Sequence, residues 1–108
     1  MKQKDDIVVL LTTVGNLDEA KALSSDLVTK KMAGCVNLLP PMQSYYWWHN
    51  SVECSDEFQL VIKTTQQHVN AIEQYFKVNH SYQLPEFIVM TVDKASDEYK
   101  NWLVESLL

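Results

Sequence analysis

Arginine is absent from the 108 residues: all nine basic residues are Lys, set against fourteen acids for a formal charge of −5. Nucleic-acid and phosphate recognition lean on the guanidinium fork, so an acidic, Arg-free chain argues against a nucleic-acid partner. Glycine is nearly as scarce, with only Gly15 and Gly34. A phosphate-cradling glycine loop or a dinucleotide fingerprint needs several closely spaced glycines, which excludes both. Two cysteines, Cys35 and Cys54, are too few for a disulfide scaffold, and neither Cys-x₂-Cys nor His-x₃-His occurs. Long apolar runs are missing as well. The run Ile7 to Leu11 follows Asp5-Asp6 and is too short for a signal-peptide core or a membrane span, so a cytoplasmic protein without a membrane partner is expected. No nucleophile elbow or paired-carboxylate motif is present, and no enzyme is expected. What remains is an ordinary globular composition, 46% hydrophobic and 21% charged, of a length that suits one domain over residues 1–108.

The patterning predicts an α+β fold. Ile7 to Thr13 is β-branched and continuous, the mark of a strand buried on both faces. Asn16 with Glu19 resembles a capping box, and Ala20, Leu23, Leu27 and Val28 share one helical face, with Gly34 as the stop. A second strand starts at Cys35, is interrupted by Pro40-Pro41, and resumes over Ser44 to Trp48. His49-Asn50 reads as a tight turn into a return strand from Ser51 to Thr65. Thr64 and Gln67 fit a second capping box, ahead of a helix carrying Val69, Ile72 and Phe76. Phe87 to Val92 reads as another doubly buried strand. Ser96 caps a last helix with Tyr99, Trp102, Leu103 and Leu107 on one face. The order β-α-β-β-α-β-α predicts a ferredoxin-like split βαβ sandwich, an antiparallel sheet with its helices on one face.

Its central hairpin is too long for the body. At about 3.3 Å per residue the arms reach roughly 40 Å, against a diameter of about 35 Å for a compact chain of this size. Tyr45, Tyr46, Trp47 and Trp48 therefore sit on an overhang, with aromatics on both faces. Such a patch predicts packing on a neighbouring subunit, in a heterologous contact that closes into a ring.

Few residues invite chemistry. His80 and Glu86 flank a Pro-rigid loop and could share a metal or a small ligand, or serve only as structural hydrogen-bonding groups. Cys35 is either a small core hydrophobe or a further ligand, which gives the candidate metal set His80, Glu86 and Cys35. Lys63 ends an apolar stretch and could face a cleft as an anion contact, or merely snorkel. Lys63, Tyr82 and Glu86 form the candidate cleft set. With His49-Asn50 as the turn, Cys54 faces Tyr45 and Cys35 faces Thr64, about 30 Å apart, too far to bridge.

The ordered set of residues resembles the CutA divalent-cation-tolerance proteins. It comprises Lys31-Met32-Ala33-Gly34-Cys35-Val36-Asn37 with Pro40, then Ser44, Tyr46, Trp48, Glu53, Glu57 and Lys63-Thr64, then His80, Tyr82, Pro85-Glu86, Tyr99 and Trp102. The resemblance runs from Ile7 onward. It implies a ferredoxin-like cytoplasmic homotrimer joined by long hairpins and linked to tolerance of copper and other heavy metals, with no established enzymatic activity. Some bacterial members carry a first-strand Cys and a His-His pair taken as copper ligands; Leu11, Asn79 and His80 match those positions, so weak copper binding is expected. Gly34 stands where the family commonly has Ala, an exchange expected to be harmless. The same protomer fold and ring resemble the PII-type nitrogen regulators, which implies an alternative: a signalling trimer that binds a small polar ligand between subunits.

Overall fold

A computed structural model describes residues 2–108. Strand β1 (Ile7–Val14) leads into helix α1 (Leu17–Thr29), followed by β2 (Cys35–Leu38), β3 (Met42–Trp48) and the long β4 (Ser51–Thr65). A 3₁₀ turn at Gln66–His68 precedes α2 (Val69–Asn79), β5 (Ile88–Thr91) and α3 (Asp97–Ser106). The sheet order is β2-β4-β1-β5, antiparallel throughout, with β3 continuing β2 alongside β4. This is the ferredoxin-like arrangement that the element order predicts. Period-two alternation aims Val8, Leu10, Val14, Leu60 and Ile62 at one face, where they meet Ala20, Leu23 and Leu27 of α1 and Val69, Ile72 and Phe76 of α2. The odd-numbered residues of β1 and β4 face the other way.

Helix starts follow the sequence more closely than helix ends. Asn16 accepts the Glu19 backbone N–H at 2.7 Å, and Ser96 accepts that of Tyr99 at 3.2 Å, as caps should. Thr64 does not cap α2. Its hydroxyl donates to the Met32 carbonyl at 2.6 Å, and the 3₁₀ turn takes up the start of that helix. Nor is Gly34 the stop of α1. Lys31 takes the left-handed conformation at φ 60°, and the Lys31 and Met32 amides close on the carbonyls of Val28 and Leu27.

Gly34 is demanded by packing instead. A Cβ there would stand 2.3 Å from Cδ1 of Leu103, a fully buried side chain of α3. The glycine is therefore not freely exchangeable with Ala in this chain. Gly34→Ala is expected to cost about 1–3 kcal/mol by overpacking, read as a lower melting temperature.

Two expectations of burial are corrected. β5 forms a sheet edge that pairs with β1 alone; Ile88 and Met90 are exposed, and only Val89 of this strand packs against the core. Leu103 of α3 and its C-cap Leu107 are buried while Tyr99 and Trp102 face outward, their rings 5.5 Å apart.

The hairpin turns at His49 and Asn50, both at positive φ, in the primed geometry that suits a two-residue connection. Tyr45 faces Cys54 as expected, but Cys35 faces Lys63 rather than Thr64. The cause is Pro40-Pro41. Between the Leu38–Leu60 and Met42–Glu57 pairs the first strand advances four residues and the second only three, so the prolines insert a one-residue bulge. Both cysteines are free, nine residues apart in register along β4 and about 30 Å distant. The molecule measures 44 × 28 × 24 Å, its long axis set by the overhanging hairpin.

Candidate functional site

The base of the hairpin, the end of β1 and the loop after α2 enclose a groove of about 870 Å³. Alternation along β4 brings Glu57 and Gln59 to it on the face away from α1 and α2, and Thr13 of β1 stands opposite Gln59. Tyr46 and Trp48 line it from β3, and Tyr82 and Glu86 from the loop.

His80 organises that loop from behind. It is 9% exposed, its ring packed between Phe76, edge-on at 5.6 Å, and Tyr82 at 5.2 Å. Nδ1 accepts the Tyr82 backbone N–H at 3.1 Å, so the proton sits on Nε2, which donates to the Thr13 carbonyl at 3.0 Å and lies 3.2 Å from the Thr12 hydroxyl. Burial holds the imidazole's proton affinity below the ordinary histidine range, opposed by the nearby Glu19 carboxylate, the Thr13 bond and the Glu57 charge. Glu19 is not reciprocating a capping box. It accepts the Ser81 backbone N–H at 2.9 Å and the Ser81 hydroxyl at 2.6 Å, pinning the loop to α1.

Thus anchored, Tyr82 crosses Gly15 and donates its hydroxyl to Glu57 at 2.7 Å. Gly15 leaves the room, since a Cβ there would lie 3.0 Å from the Tyr82 oxygen. Burial, then the bond to Glu57, raises the phenol well above the ordinary tyrosine range, so it stays a donor at any physiological pH. Gln59 bridges the rest: its amide donates to the Thr12 carbonyl at 2.7 Å and to Glu86 at 3.0 Å.

Of the residues singled out from sequence, Tyr82, Glu86 and the β3 aromatics meet at the groove, and His80 supports it from behind. Lys63 and Cys35 do not join them. The two pair with each other across β2 and β4, with Lys63 four residues beyond Gln59, or about 13 Å. Cys35 therefore cannot complete a metal set with His80 and Glu86, and Lys63 does not balance Glu86. The ring nitrogens of His80 are already engaged, and no group of three His, Cys, Asp or Glu side chains among the described residues could hold a metal ion. The positions that the resemblance links to copper are also split. Leu11 faces the side away from α1 and α2, while Asn79 donates to the Tyr75 carbonyl at 3.0 Å. Sequence reasoning missed Glu57, Gln59 and Glu19 as site residues. The first two were signalled by their alternation with Phe58 and Leu60 along the strand.

Comparison with known proteins agrees with this fold. A family model described as CutA1 divalent ion tolerance protein matches residues 8–106. The chain is 34% identical over 99 residues to a chloroplastic CutA 1 protein of Oryza sativa subsp. japonica, covering 92% of this chain and 56% of the relative. It thus spans about half the length of that plant relative. Identity reaches 37% over 101 residues with a divalent-cation tolerance protein of Yersinia pestis, covering 94% of this chain and 85% of that protein. The crystal structure of CutA from Xylella fastidiosa superposes with a TM-score of 0.91 at 35% identity, covering 94% of this chain and 98% of that one.

Proposed function

The chain belongs to the CutA1 divalent ion tolerance family, and from that premise we propose a non-catalytic homotrimer that supports tolerance of divalent metal ions, copper among them, in the cytoplasm. The observation that carries the assembly is the hairpin. Tyr45 and Trp47 are 71% and 73% exposed on one face, with Tyr46 and Trp48 half-exposed on the other. A patch of this kind on an overhang calls for a partner, and a hairpin reaching outward from one protomer is a heterologous contact that a three-fold ring satisfies. None of the helices among the described residues is long and apolar enough to cross a membrane. The cytoplasmic assignment rests on the chain's two free thiols; the rice relative is described as chloroplastic.

Any copper binding by this chain should be weak, because Leu11 donates nothing, Asn79 is a poor soft-metal ligand and His80 is occupied. Titration with copper against Leu11→Cys/Asn79→His tests this. Because positions 11 and 79 lie apart, the variant is expected to bind copper no more tightly, and a tighter site would show that the two positions meet. The tolerance itself is tested by growth on copper with and without the gene, and indifference would overturn it. A second reading, a ligand-responsive trimer similar to the PII-type regulators, is favoured by one observation, the groove beneath Tyr82.

A further inference from the structure

We propose that the groove beneath Tyr82 binds a small organic cation of the ammonium class. The inference rests on the second reading above, the groove as a ligand site, and names its ligand.

Glu57 carries the argument. It is 7% exposed, yet the group it accepts from is the neutral Tyr82 hydroxyl. A buried carboxylate is ordinarily paired with a cation or bound to a metal, because losing hydration without a counter-charge is costly. Among the described residues Glu57 forms no ion pair, and neither Lys nor Arg lines the groove. Glu86 adds a second carboxylate, likewise held by a neutral donor, the Gln59 amide. Tyr46, Trp48 and Tyr82 also line the groove, and aromatic rings attract an organic cation more strongly than an anion.

The same features argue against the other occupants. With Lys63 about 13 Å along the strand, an anionic or phosphorylated ligand meets two carboxylates and no cation. A metal ion would need a third anionic or imidazole ligand, and no such group of three exists among the described residues. At about 870 Å³ the space suits a molecule rather than an ion.

The test titrates ethanolammonium, choline and putrescine chlorides into the full-length protein by amide NMR, with sodium chloride at equal ionic strength, sodium isobutyrate and zinc chloride as comparators. The expected result is saturable shifts at Glu57, Gln59 and Tyr82 for at least one ammonium, weakened at least about tenfold in Glu57→Gln. Glu86→Gln, at a less buried position, gives an independent reading if Glu57→Gln folds poorly. Isobutyrate or zinc moving those amides while the ammoniums do not would leave a ligand groove and overturn the cation assignment. Silence from every compound would overturn both. Ammonium binding unchanged in both variants would place the cation elsewhere and overturn the proposal.

Discussion

Replacing both tip tryptophans, as Trp47→Ser/Trp48→Ser, is expected to convert the proposed trimer into monomer or aggregate in sedimentation velocity. Serine removes the aromatic surface but keeps a hairpin-compatible backbone, and the turn at His49 and Asn50 is untouched. Trp47 projects from one face of the overhang and Trp48 from the other, so the pair samples both surfaces that a neighbour could cover. Burying one such ring contributes at most about 3 kcal/mol, or about 6 kcal/mol per interface for the two. That corresponds to roughly four powers of ten in the association constant, enough to empty a trimer at micromolar concentration. An unchanged sedimentation coefficient and melting curve would show that the tip does not carry the assembly.

The second large effect belongs to His80. His80→Ala should destabilise the fold by about 3–5 kcal/mol, a sizeable part of an ordinary domain's stability. The substitution empties the space between Phe76 and Tyr82, and it strands the Tyr82 amide and the Thr13 carbonyl. The melting temperature should fall by more than about 10 °C, and a melt within about 2 °C of the natural protein would refute the role. A pH series gives a second check. Unfolded, the ring titrates near its ordinary value of 6.5; folded, burial lowers that value. Between the two the unfolded chain holds more protons, so stability is full above about pH 6.5 and declines as pH falls toward the folded value. His68, also lowered by burial, contributes in the same direction, so the decline in His80→Ala should be shallower but not absent.

How far the sequence reached can be judged from single residues. Asn16 and Ser96 were legible as caps because capping is local chemistry between a side chain and an amide three residues away. The Ser51–Thr65 strand and the His49-Asn50 turn were legible because alternation and positive φ leave direct residue signatures. Lys63 and Cys35 were misplaced at the site because where the loop after α2 meets the sheet is a tertiary matter: it lies over Glu57 and Gln59, short of the Lys63–Cys35 pair along β4. Gly34 was misread because its requirement comes from Leu103, sixty-nine positions along the chain.

The sequence by itself determined the element order, the ferredoxin-like topology, the family and the aromatic overhang. Each follows from periodicity, composition or ordered residue identity, all of which are properties of the chain read in one dimension. Only the tertiary structure decided that His80 is a buried anchor with both nitrogens engaged, that Glu19 holds the loop, and that Glu57 lies buried beneath Tyr82 without a cationic partner among the described residues. Hydrogen-bond partners and counter-charges are fixed by distances between residues remote in sequence, and no local pattern encodes them.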